Sequence, residues 1–191
     1  MSALLSTVLA AAVGGNLALD GLLGLCPLLA VSRKHEVAAG MALMTVVALP
    51  SYCVLAYMLK AWVLQPLNAE SLALVVWVLL LATFVVAAGR WLSRSRPALH
   101  ESYGVYLPVL GVNCLVLGAV LLATTRADSL FLVLAYALGT AAGYAAVLLV
   151  ITDLRERLAM TPLPLPMRGA AAVLVTLGLL SLALMGLRGV G

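Results

Sequence analysis

Cys26 and Cys114 are the residues of this chain best suited to chemistry. Each lies midway along an apolar stretch beside helix-disturbing residues, in Gly24-Leu25-Cys26-Pro27 and in Gly111-Val112-Asn113-Cys114. They stand 88 positions apart in a chain of 191 residues, close to half its length. Thiols at matching places in two halves point to a paired site, and thiolates are good ligands for soft metals and iron–sulfur clusters. A [2Fe–2S] or [4Fe–4S] cluster usually takes four thiolates. The third cysteine, Cys53, has no Gly/Pro neighbourhood, and its counterpart at 141 is Ala. A cluster here therefore needs two more thiolates from another protein chain. The competing reading is that a free cysteine behaves as a small buried hydrophobe.

Other polar groups are few. Asp20 is the one carboxylate inside an apolar run. Ionisable groups at membrane depth are expensive and mark functional sites, although Asp20 can equally sit solvated near the outer surface. Asn16 and Asn113 are amides in apolar surroundings. Asn113 adjoins Cys114, where it can hold a bent backbone or donate to a cluster sulfur; both amides can also serve as interhelical glue. His35 and His100 fall in polar links, a poor setting for ligating a metal together with the thiols. No phosphate loop, nucleophile triad or dinucleotide fingerprint is present.

The elements that must position these residues follow from composition. The chain is 65% hydrophobic and only 9% charged, with mean hydropathy +1.19; soluble domains carry about 25% charged residues. The solvent is therefore lipid. The net charge of +4 is too scattered for a nucleic-acid face. Six uncharged or nearly uncharged runs are long enough to cross the hydrocarbon: about 3–32, 37–59, 71–89, 102–125, 129–152 and 169–187. The N-terminus has no Lys or Arg ahead of its apolar run and is not a typical cleaved signal. Eight of the 11 Lys and Arg fall in the first, third and fifth links (Arg33, Lys34, Arg90, Arg94, Arg96, Arg155, Arg157, Arg168). Basic links stay in the cytoplasm, so both termini are expected on the periplasmic side of a bacterial inner membrane. Three buried cysteines do not make a secreted disulfide framework.

The expected fold is all-α and integral to the membrane. It is a single membrane domain over 1–191, with pseudo-repeats about 1–95 and 96–191. Three helices per half is an odd number, so the second half runs upside down relative to the first, as an inverted 3+3 repeat. Sites in such folds gather near the midplane on broken helices. Helices 1 and 4 carry the marks of a break: Gly14, Gly15, Asn16, Gly21, Gly24 and Pro27 in one, Gly104, Pro108, Gly111, Asn113 and Gly118 in the other. Gly and Pro are also common in ordinary membrane helices. The fifth link, with Pro162, Pro164 and Pro166, is either a semi-rigid docking segment or a stiff connector.

Two segments carry a family resemblance. Leu23-Gly24-Leu25-Cys26-Pro27-Leu28-Leu29-Ala30-Val31-Ser32-Arg33-Lys34 and Leu107-Pro108-Val109-Leu110-Gly111-Val112-Asn113-Cys114-Leu115-Val116-Leu117-Gly118 resemble the two signatures of the A-type and E-type subunits of the bacterial Rnf electron-transport complex. Leu154-Arg155-Glu156-Arg157-Leu158-Ala159, Pro164, Pro166, Arg168-Gly169 and Leu182-Ala183-Leu184-Met185-Gly186 are similar to the A type, as are the outward termini. The family's paired Asn before the first cysteine motif is Gly15-Asn16 here, and Asp20 replaces an apolar position. The resemblance implies a component of an ion-translocating NADH:ferredoxin oxidoreductase that is not catalytic alone. It implies that Cys26 and Cys114 hold half of a [2Fe–2S] cluster relaying electrons across the membrane. A homologous E-type subunit would supply the other two thiolates, and B, C, D and G types would carry flavins and further clusters. The alternatives are the equivalent component of the sodium-pumping NADH:quinone reductase, a small inverted-repeat transporter whose cysteines are packing, and a structural scaffold.

Overall fold

The structure is a computed structural model that describes residues 8, 11, 17–31, 35–64, 72–95, 106–111, 113–126, 129–160 and 169–188. Every regular element among them is helical: α1 (Leu17–Asp20), α2 (Leu25–Val31), α3 (His35–Leu59) with a π-helical turn Lys60–Leu64, α4 (Ala73–Ser95), α5 (Tyr106–Gly111), α6 (Cys114–Arg126), α7 (Leu130–Ala159) and α8 (Ala170–Arg188). Among the described residues three helices have the length and hydropathy of a membrane span: His35–Leu64, Ala73–Arg94 and Leu130–Leu158. Cys114–Thr125 and Ala170–Gly186 are shorter apolar helices. The runs expected as spans 1 and 4 are interrupted, at Gly21–Gly24 and at Asn113. Among the described residues each runs as two helical pieces, α1 and α2 in one and α5 and α6 in the other, instead of one continuous rod.

α3 and α7 form the centre. The buried positions of α3 (Ala38, Ala42, Thr45, Leu49, Tyr52, Ala56) recur at alternating steps of four and three, and those of α7 (Val133, Ala137, Ala141, Tyr144, Leu148, Ile151) do nearly the same. This is the stripe of a helix with one buried face. Its many Ala and Thr let the two backbones approach closely, the usual means of packing where lipid removes the hydrophobic drive between helices. Thr45 and Thr152 satisfy their hydroxyls on the carbonyls of Met41 and Leu148, one turn back. Cys53 belongs to the same stripe and is fully buried. Tyr52 ties α3 to α4 by donating to the Trp77 carbonyl at 2.6 Å. The outer faces are apolar and bare: Trp62, Trp91 and Phe131 are 82%, 68% and 71% exposed. That pattern suits lipid as the solvent.

Three contacts gather the helix ends that flank the basic links at one end. His35 Nε2 at the start of α3 lies 3.4 Å from Asp153 Oδ1 near the end of α7. Arg155 of α7 donates to the Leu29 carbonyl at 3.2 Å. The trough between α3 and α4 is lined by Leu43 and Met44 together with Trp91 and Leu92, which brings Arg90 and Arg94 to the His35 end. At the other end Lys60 donates to the Thr124 carbonyl near the C-terminus of α6. These last contacts are reciprocal. Leu29 and Thr124 are 95 residues apart, and so are Lys60 and Arg155. The cation closing the long helix of each half thus caps the broken helix of the other half. Each donates to carbonyls that a helix C-terminus leaves without intrahelical partners.

Candidate functional site

The two breaks meet. Between α1 and α2 the backbone turns through Leu22 (φ 49°) and Gly24 (φ 86°), both left-handed. Glycine adopts that conformation freely, whereas for leucine it is strained. The Gly21 and Leu23 amides both close on the Leu17 carbonyl at 3.2 Å, which ends α1. α2 then starts afresh, with Leu28 N–H on the Gly24 carbonyl at 3.1 Å. Pro27 does not break a helix here. It stands in the first turn of α2, where its missing N–H costs nothing; Pro108 has the same place in α5.

The second break is simpler. Asn113 precedes α6 and acts as its N-cap: its Oδ1 accepts the Leu115 N–H at 3.0 Å. Asn113 is wholly buried. Its Nδ2 has no hydrogen-bond partner among the described residues.

A backbone-to-sulfur hydrogen bond joins the breaks: the Gly24 N–H donates to Cys114 Sγ at 3.0 Å. Because Gly24 is two residues from Cys26, this contact sets the Cys26 turn beside Cys114. The approach depends on the absence of a side chain at 24. A Cβ there would lie 2.9 Å from the Tyr144 ring, 3.2 Å from Leu115 Cβ and 3.4 Å from Asn113 Oδ1. Leu23 packs into the space left by Gly118, where a Cβ would stand 2.2 Å from it. Both thiols are exposed, while Cys53 is buried. Cys114 opens α6 and Cys26 lies in the first turn of α2.

Tyr144 forms the inner wall. It is fully buried, within electrostatic reach of both thiols and beside Asn113. Its hydroxyl nevertheless has no hydrogen-bond partner among the described residues. An unsatisfied buried hydroxyl costs about 1–3 kcal/mol. Thr140 Oγ1, one turn earlier on α7, is also unpartnered. The other described threonines (Thr45, Thr83, Thr124, Thr125, Thr152, Thr176) all bond back to their own helices. Sequence reasoning passed over Tyr144, because a tyrosine in an apolar helix reads as packing. The available signal was the polar pair Thr140 and Tyr144 at i, i+4.

The remaining sequence candidates divide. Asp20 is the last residue of α1, immediately before the first break. Asn16 lies outside the described residues. Among the described residues, no three His, Cys, Asp or Glu side chains converge as a metal site. Two exposed thiols on adjoining helix breaks, an amide donating to one sulfur and buried polar groups nearby fit half of a four-thiolate site; the donor set is right in kind and short by two.

An all-helical protein, among its described residues, with long apolar helices and bare apolar outer faces has the architecture of an integral membrane protein. The profile of a family described as Rnf-Nqr subunit, membrane protein, matches residues 4–191. The chain is 40% identical to the A-type subunit of the ion-translocating oxidoreductase complex of Alkalilimnicola ehrlichii, over 97% of this chain and 94% of that protein. It is 37% identical to the protein of the same name from Pseudomonas paraeruginosa, over 99% and 98%, and 37% identical to that of Vibrio campbellii, over 91% of each. The chain belongs to the Rnf-Nqr subunit family of membrane proteins.

Proposed function

We propose that this chain is the A-type membrane component of an ion-translocating oxidoreductase complex. In that reading Cys26 and Cys114 contribute two of the four thiolates of a [2Fe–2S] cluster shared with a homologous membrane protein of the same complex. The observation that carries it is the Gly24–Cys114 contact, which joins the two breaks that carry the exposed thiols. The names of the relatives supply the complex. The cluster supplies a one-electron carrier when bound.

This chain's own residues do the rest. Cys26 and Cys114 bind, the Gly24 amide orients Cys114 Sγ, and the α3–α7 core keeps water away from the inner side. The partner's surface closes the outer side. The reciprocal caps of Lys60 and Arg155 support an inverted 3+3 arrangement of six crossings in the bacterial inner membrane, with both termini periplasmic. Charge gained or lost at a low-dielectric site between two half-helices can bias their positions, which would couple electron transfer to ion movement.

The test is iron and electron paramagnetic resonance analysis of the purified complex. The wild-type complex is expected to show a [2Fe–2S] signal that Cys26→Ser and Cys114→Ser each abolish, and the chain expressed without its partner should hold no iron. Full iron and undiminished electron flux in the Cys26→Ser complex would remove the ligand assignment.

A further inference from the structure

We infer that Tyr144 is a hydrogen-bond donor to the sulfur of the Cys26/Cys114 centre and raises its reduction potential. The inference rests on the proposed shared cluster and goes beyond it, because Tyr144 is no ligand.

Three observations lead to it. The first is position: the ring stands directly behind Gly24, which a Cβ would press to 2.9 Å from Tyr144 Cε2, and Gly24 is the residue bonded to Cys114 Sγ. The second is the orphaned hydroxyl. Tyr144 is 0% exposed, and neither its Oη nor the neighbouring Asn113 Nδ2 has a partner among the described residues. A phenylalanine would fill the same space without burying an unpaired O–H. Asn113 is the hydroxyl's polar neighbour and the two thiols lie within electrostatic reach, so a sulfur of the centre is placed to accept the hydrogen bond that no described group takes. The third is chemistry. Asn113 Oδ1 is already committed to the Leu115 N–H, and sulfur bound to iron is the one electron-rich acceptor that the proposed site would add.

Reduction places an extra electron on the metal and its sulfurs in surroundings of low dielectric. An O–H directed at sulfur stabilises that added charge more than it stabilises the oxidised state, so it favours reduction. Tyr144 would thereby set how readily the centre accepts an electron, while the thiolates decide whether a centre forms at all.

The experiment uses the whole purified complex. Tyr144→Phe keeps the ring against Gly24 and removes only the hydroxyl. The iron content should stay at the wild-type level. A redox titration followed by paramagnetic resonance should show the oxidised-to-reduced ratio at fixed potential rising about tenfold, a midpoint lower by ~59 mV for a one-electron couple. One exchangeable-proton coupling, seen by comparing samples in H₂O and D₂O, should disappear. Replacing Tyr144 by 3,5-difluorotyrosine, a stronger donor of nearly the same shape, should move the midpoint the opposite way; a packing role would move neither. This second variant also reads the donor should the phenylalanine complex fail to assemble. Full iron with unchanged midpoint and proton coupling in both variants would overturn the role of Tyr144 alone. A wild-type complex without iron would overturn the shared cluster and this inference together.

Discussion

At the scale of single residues, the site depends on a missing side chain. Gly24 combines a left-handed backbone with contact on three sides, and the two costs can be separated because Gly169 has the same φ of 86° with nothing near its absent Cβ. Gly169→Ala should lose only the left-handed backbone term, about 1–2 kcal/mol. Gly24→Ala should lose that plus an overpacking term, about 2–5 kcal/mol in all, and should pull the Gly24 amide off Cys114 Sγ. Denaturant titration of the two variants beside wild type checks the difference; equal losses would mean that the wall of Tyr144, Leu115 and Asn113 yields freely. The cysteines were legible in sequence because thiols flanked by Gly, Pro and Asn are unusual in apolar runs. Leu22 was not, since nothing in a leucine announces a positive φ. Tyr144 was not, since its interest lies in a hydrogen bond it does not make, and that is visible only once its neighbours are placed.

At the scale of elements, the sequence located both breaks but misread part of their cause. Pro27 looked like a helix breaker, yet it begins a helix; the interruption is made by the left-handed turn at Leu22–Gly24 and, in the second half, by the Asn113 cap. The cross-capping was hidden for a geometric reason. The cysteines repeat at 88, whereas the capped carbonyls and their cations repeat at 95. The difference of seven residues is about two helical turns: Leu29 stands three residues after Cys26, and Thr124 ten after Cys114. A single offset therefore could not align both features. The caps predict a stability effect at positions that surface-charge reasoning would treat as neutral. Lys60→Met should cost about 1–2 kcal/mol by leaving the Thr124 carbonyl without its charged donor, and Lys60→Arg should restore most of it. Arg155→Met should cost at least as much, since Arg155 has further interactions besides Leu29. The two sites lie at opposite ends of the molecule, so their effects should add within about 0.5 kcal/mol in the double variant. Reversible unfolding in detergent measures all four; no loss in either single variant would show that the caps do not hold the half-helices.

At the scale of the whole molecule, sidedness can be argued from contacts as well as from composition. The first link leads into His35, which pairs with Asp153 at the head of the fifth link, and Arg155 reaches back to Leu29 just before the first. The third link leaves α4 beside the same end, because Trp91 and Leu92 share a trough with Leu43 and Met44 near the start of α3. Helix segments far apart in sequence thus bring Arg90, Arg94, Arg155 and Arg157 to one end, and the first, third and fifth links together hold eight of the 11 basic residues of the sequence. Lys60, on the opposite face, spends its charge on the Thr124 carbonyl. An asymmetry this large should set orientation during insertion, with the basic face held in the cytoplasm. Alkaline phosphatase, which is active only when exported, should therefore be active when fused after Arg188 and inactive when fused after Ser95; the reverse pattern would invert the topology. With the basic face inside, the Lys60 cap and the Arg155 cap lie at opposite membrane surfaces, and the breaks that carry Cys26 and Cys114 lie between them. In the proposed complex each half-helix that carries a thiol is then held at its far end from one side of the membrane only, so a change of charge at the proposed cluster would reach both surfaces through two short rigid pieces.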